Sequence, residues 1–167
     1  MKRSLWTIVL LTLVAGCSLF QRAAAPEHLD VYYTKSDGST LGKWSVSLRP
    51  PQGSESAAEH QKNTVLYAAV QAVAGPPSDV QAIRFPNGTH VIDAHVTGST
   101  AVVDLSNDVS KQAGGTFGES GEFKGLVYTV TGVPGINAVQ ILVDGRKLDS
   151  LPGGHLELDQ PLHRSDW

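Results

Sequence analysis

The chain has 167 residues, of which 41% are hydrophobic and 17% charged, and its 13 basic against 16 acidic side chains give a net charge of -3. That balance argues against a nucleic-acid-binding face and against a polybasic contact with anionic lipid, both of which need clustered Lys and Arg. A lone cysteine excludes an internal disulfide, and the length suits one domain with a proper core.

Lys2 and Arg3 precede an apolar run from Leu5 to Val14, and the small residues Ala15 and Gly16 end it before Cys17. A basic start, an apolar middle and a small-residue end make a secretory signal. The run is about a dozen residues, short of the ~20 that a membrane-crossing helix needs. Val14-Ala15-Gly16-Cys17 resembles the bacterial lipobox, whose cysteine is joined to diacylglycerol and becomes the new N-terminus. Residues 1–16 are therefore expected to be a lipoprotein signal peptide and Cys17 the lipidation site, with 17–28 a lipidated N-terminus and flexible tether. One acyl chain holds weakly and two or three hold firmly, at ~0.8 kcal/mol per buried methylene. Loss of the signal takes Lys2 and Arg3 away and leaves 11 basic against 16 acidic side chains. Ser18 follows the cysteine, so no aspartate is present there to retain the protein at the inner membrane. The expected location is extracytoplasmic and lipid-anchored, on the outer face of the cytoplasmic membrane or on the outer membrane of a two-membrane bacterium.

The domain is expected over 29–150. Leu29 to Tyr33 suits a strand, Ser36-Asp37-Gly38-Ser39 a turn, and alternating Trp44, Val46 and Leu48 a second strand, which together make a hairpin. Arg49-Pro50-Pro51 ends it. Leu66, Val70 and Val73 recur at helical spacing, and Gly75-Pro76-Pro77 stops that helix, placed at 58–74. Val80 to Phe85 is a strand candidate. Val91–Val96, Gly98-Ser99 and Ala101–Leu105 predict the clearest hairpin of the chain.

Residues 107–121 are rich in Gly, Ser and Asn and predict a loop. Leu126 to Val130 has strand composition. Phe123, Val127 and Val130 nevertheless fall at helical spacing, with Ser120 placed to cap. Helix is marginally preferred there. Val139, Ile141 and Val143 alternate as a strand, Asp144-Gly145 turns, and a short strand follows. Residues 151–167 are irregular and polar, and either wrap the domain or hang free. Six strands, a short final strand and two helices in this order predict an α+β fold, a two-layer sandwich of a mixed sheet with two helices.

Five segments resemble the GerMN domain, named for a spore-germination lipoprotein. They are Val65–Val70 leading to Ala74-Gly75-Pro76, Ala82–Thr89, Val102–Ser106, Leu126–Thr131 and Val139–Gly145. They come in family order and span about Val31 to Leu148. The resemblance implies a fold similar to the ring-building motifs of secretion systems, with 120–131 as its second helix. It also implies an envelope lipoprotein whose domain binds or assembles and is not an enzyme. The sporulation lipoprotein carries two such domains, and this chain has room for one, which leaves a role in spores open. The matching positions Gly75, Pro76, Pro86, Gly88, Asp104, Ser106 and Gly145 are expected to determine the fold. Gly75 and Pro76 would end a helix, Gly88 and Gly145 would turn strands, and Asp104 and Ser106 would act as a cap or an Asx-turn.

Catalytic candidates are few. In a strand, His90 points to one face and Asp93 and His95 to the other, so three metal ligands do not converge and a solvated Asp93–His95 contact is expected. Gly118-Glu119-Ser120-Gly121 lacks the last glycine of a nucleophile elbow, Glu122 standing in its place. Glu119 and Glu122 have the chemistry of a glycan-hydrolase pair, but two acids near a helix start more simply favour its dipole. No cofactor or metal is expected. The expected partners are the membrane through Cys17 and an envelope protein or a second copy, with no nucleic acid. The competing classes are a peptidoglycan-acting enzyme using the 107–122 carboxylates, and a small-ligand binder with a pocket between sheet and helices.

Overall fold

The computed structural model describes residues 28–111 and 115–167. The signal peptide, Cys17 and nearly all of the tether lie outside the described residues. Strands β1 (His28–Thr34) and β2 (Leu41–Ser47) form an antiparallel two-stranded sheet in which Val31 pairs with Trp44. Their turn is held by Asp37, whose Oδ1 accepts from the N–H groups of Ser39 and Thr40 at 2.9 and 2.8 Å. Helix α1 (Ala57–Ala74) follows. It starts in a capping box, with Ser56 Oγ taking the Glu59 N–H and Glu59 Oε2 taking the Ser56 N–H. Its buried stripe is Thr64, Val65, Ala68, Ala69 and Ala72, small enough to bring the helix close to its neighbours.

Strands β3 (Val91–Thr97) and β4 (Thr100–Leu105) form the predicted hairpin, with Thr97 opposite Thr100 across Gly98-Ser99. A bulge at Ile92 shifts the register between Val91 and Asp93. After a 3-10 turn at Asn107–Ser110 comes α2 (Gly115–Val130), and β5 (Ala138–Val143) then pairs parallel with β4. This sheet is mixed, in the order β3-β4-β5, because a parallel return needs a crossover, which α2 supplies. Helix α1 packs against β3 and α2, while α2 lies along β1. The class is α+β as expected, with the strands divided between two sheets.

The centre is made by Phe123, Leu126 and Val127 of α2, Val31 of β1, Val103 and Leu105 of β4 and Ile141 of β5, all essentially without solvent contact. Each such side chain is worth roughly 1.5–3 kcal/mol of burial. Phe85 meets Phe123 edge to face at 5.7 Å.

Four expectations are corrected. Val80–Phe85 is not a strand. It touches β1 only through a Lys35–Ala82 bridge and the Ile83 N–H on Thr34 O, because the Arg84 guanidinium folds back onto the carbonyls of Pro76, Pro77 and Val80. The strand expected after Gly145 is a single Val143–Arg146 bridge. Residues 115–121 are helix, not loop, so Ser120 lies inside α2 and does not cap it. Its hydroxyl takes the Trp167 indole N–H at 3.0 Å.

The last contact belongs to a strap. Residues 151–167 wrap the domain and bury Leu151, Leu158 and Leu162. Leu162 exchanges two backbone hydrogen bonds with Val139 and so covers part of the outer edge of β5. Arg164 donates to Tyr128 O and Thr131 Oγ1 at 2.8 and 2.7 Å, and its guanidinium lies 5.0 Å from the Tyr128 ring centre.

Candidate functional site

Four of the seven family-matching positions meet at one end of the β3-β4-β5 sheet. Asp104 closes no local turn. Its Oδ1 accepts the Gly145 N–H at 2.9 Å, 41 residues on. Ser106 does not cap the 3-10 turn with its side chain. Its hydroxyl receives the His90 N–H at 3.2 Å and lies 3.4 Å from Gly88 O, while its own N–H donates to His90 O. Gly88 has φ +95, and a Cβ there would press on the Asp108 carboxylate at 3.1 Å. Asp108 is held below the usual carboxylate range, chiefly by the Lys111 ammonium. The Val-Asp-Leu-Ser segment thus staples two loops to the end of β4. Alternation along a strand could not reveal this, since both partners are distant in sequence.

Gly75, Pro76 and Pro86 mark a second region. Gly75 leaves α1 at φ 73 and ψ 179, and its N–H still reaches Gln71 O at 3.2 Å. Arg84 fixes the chain beyond it, a role that sequence reading missed. Pro86 O accepts the Thr89 N–H in the turn that brings Gly88 to Ser106. Between Gly75, Pro76, Arg84, Tyr33, Gly121 and Glu122 lies a narrow cleft with about 10 Å³ of open space, room for one water.

Glu119 and Glu122 are not dipole-facing acids at a helix start. With α2 beginning at Gly115, they fall on its buried face, 1% and 7% exposed. Glu119 Oε2 accepts the His155 N–H of the strap at 2.9 Å. Glu119 Oε1 and Glu122 Oε2 are buried without a partner. Burial, and then the neighbouring Glu119, push the Glu122 carboxyl up to about 8. A signal for this was present. The series 119, 122, 123, 126, 127, 130 is one helical stripe, and a loop assigned from glycine content hid its first two members.

The histidines stay apart. His95 Nδ1 lies 3.5 Å from Asp93 Oδ2, both largely exposed, and His90 turns its Nδ1 toward Gly88 O at 2.9 Å. Among the described residues no three His, Cys, Asp or Glu side chains converge as a metal site. A surface groove of about 380 Å³ runs between the end of β2 and α1, lined by Leu48, Arg49, His60, Asn63 and Tyr67. Glu55 organises its rim through Arg49, Asn63 and the Gln52 N–H.

Among the described residues no helix is long and apolar enough to cross a membrane. Residues 1–18 match a prokaryotic membrane lipoprotein lipid attachment site. Residues 30–149 match the family described as "Germane: Sporulation and spore germination". No curated protein matches the chain. Its backbone is similar to that of a Clostridium perfringens protein described as a candidate lipoprotein, solved at 2.5 Å, with TM-score 0.57 and 22% identity over 83% of this chain and 88% of that one. It is also similar to the first GerMN domain of the Bacillus subtilis sporulation protein GerM, with TM-score 0.57 and 20% identity over 83% of this chain and 98% of that one. Against the tandem GerMN domains of that protein it covers 46% of the length, at TM-score 0.58 and 20% identity. These likenesses establish the fold. The chain is a lipid-anchored, membrane-associated lipoprotein, and its domain belongs to the GerMN family.

Proposed function

We propose that the chain is a non-catalytic docking module, held by Cys17 on the extracytoplasmic side of a membrane, that binds an envelope protein partner. The observation that carries this is an inversion of the usual surface. The two acids best placed for chemistry lie in the interior, while Tyr67 and Val70 of α1 and Ile92 of β3 are 38%, 41% and 49% exposed. Elements α1 and β3 pack on each other, and β3 is the outer strand of its sheet. Apolar side chains beside an unpaired strand edge suit contact with another protein. A glycan hydrolase instead needs two carboxylates flanking an accessible bond. Glu119, covered by the strap, and Glu122, buried on the same face of α2, lack that access.

The test is site-specific photo-cross-linking in intact cells from positions 67, 70 and 92, with position 43 on β2 as the control. A single protein captured from the first three positions and not from the fourth, and lost with Cys17→Ala, supports docking at the membrane. Equal background from all four positions, or hydrolysis of peptidoglycan by the purified protein that Glu119→Gln abolishes, overturns it.

A further inference from the structure

The Glu119–Glu122 pair has no part in docking, and its placement needs its own explanation. Both carboxyls lie on successive turns of one helix, both are more than nine-tenths buried, and each has an oxygen with no partner. An isolated buried carboxylate is costly, and two adjacent ones cost more, so such a pair keeps a proton. No Lys, Arg or His side chain among the described residues forms an ion pair with either carboxyl. Arg84 shares the Glu122 cleft, but its guanidinium is taken by the carbonyls of Pro76, Pro77 and Val80. Tyr32 and Tyr33 line the same cleft and bring no cationic group to it. On α2 itself, Lys124 reaches away to Ser39 O. From the strap, His155 offers its backbone N–H to Glu119. With Glu122 as its one carboxylate and space for one water, the cleft is too small for a hydrated divalent ion.

The strap is fitted to the Glu119 end of this pair. A Cβ on Gly154 would overlap the Glu119 carboxylate, so the backbone at 154–155 rests directly on it. We propose that Glu119 and Glu122 are a proton-operated latch: with one proton on the pair the strap at 153–155 is closed on α2, and loss of that proton releases it.

The sign follows from linkage. The closed pair keeps the Glu122 proton to about 8, and opening at 153–155 uncovers the neighbouring Glu119 carboxylate and weakens its push on Glu122, so the open state gives that proton up at lower pH, nearer the ordinary 4.5. Opening is therefore rarest at acid pH, rises through this window as pH rises, and levels off above it.

The test is amide hydrogen exchange at Gly154 and His155 in the full lipidated protein in detergent, from pH 5 to 9, corrected for the intrinsic rate. Opening should rise by up to about tenfold per pH unit through the window, and the profile should be flat in Glu122→Gln. A flat wild-type profile, or one unchanged by the substitution, overturns the latch. If Glu122→Gln does not fold, carboxyl ¹³C titration of the wild type decides. A buried glutamate titrating above about pH 6.5 supports the latch, and ordinary values near 4.3 for every glutamate overturn it. Millimolar calcium should leave the profile unchanged, and closure of the strap by calcium at pH 8 overturns it in favour of a cation site.

Discussion

The backbone N–H of Tyr32 donates to the hydroxyl of Thr129 at 2.8 Å, joining the free edge of β1 to helix α2. The same hydroxyl donates to Gly125 O one turn earlier, and Thr34 Oγ1 repeats the pattern on Gly121 O. Gly125 makes the approach possible, since a Cβ there would lie 3.1 Å from Tyr32 O. A strand edge that would otherwise expose unpaired groups is thus closed by a helix. Thr129→Val keeps the shape and removes the hydroxyl, leaving the half-buried Tyr32 N–H without its partner. We expect a loss of about 1–3 kcal/mol in chemical denaturation. Thr129→Ser should recover most of it, and a valine variant as stable as wild type contradicts this account.

The fold was legible in the sequence where periodicity and turn chemistry agreed. Helix α1 starts one residue before its expected position and ends where Gly75 requires. The Gly98-Ser99 hairpin and the last strand are in place. Two kinds of feature were hidden. Val80–Phe85 has strand composition, but the Arg84 side chain binds three carbonyls and bends the segment away from a ladder. The first turns of α2 have loop composition, but their glycines are packing positions. Gly121 has Ile83 against it, with a Cβ falling 2.5 Å from Ile83 Cδ1, and Gly125 has the backbone of β1. The helix can begin early because tertiary contact outweighs propensity. The burial of Glu119 and Glu122 followed from that boundary and could not be seen without it.

Asp104 and Ser106 act at a distance, and that separates them from capping residues. Asp104→Ala should free the Gly145 turn and cost about 1 kcal/mol, whereas loss of a local cap would fray only the adjacent turn. Amide exchange distinguishes the two: protection should fall at Gly145 and in the last residues of β5. Gly145 itself has φ 72, so Gly145→Ala adds roughly 1 kcal/mol of backbone strain, its Cβ meeting Asp104 Oδ2 only at an ordinary contact distance of 4.0 Å.

The strap depends on Arg164 as well as on Glu119. Its guanidinium donates to the end of α2 and lies over Tyr128, so Arg164→Lys keeps the charge and loses the fork geometry. We expect roughly 1 kcal/mol of destabilisation. Residues 159–167 should become more sensitive to protease, with no change in the β3-β4-β5 sheet. Uniform loss of protection throughout the domain would show that the strap and core unfold as one unit.

Stability against pH should form a dome with two different limbs. On the acid side, Glu55 is held well below its ordinary value by Arg49, then by the Gln52 N–H and Asn63. A depressed carboxylate contributes stability that is present above its unfolded value of 4.5 and lost as pH falls toward the folded one. Glu122 works in the opposite direction. Its raised value means stability present below 4.5 and lost as pH climbs to about 8. Thermal melts should therefore peak at mildly acid pH. Glu55→Gln should flatten the acid limb and leave the other in place. Glu122→Gln should flatten the alkaline limb and raise stability at pH 8 by on the order of 2 kcal/mol. If Glu122→Gln instead lowers stability equally at pH 5 and pH 8, the carboxyl is there for its packing and not for its proton.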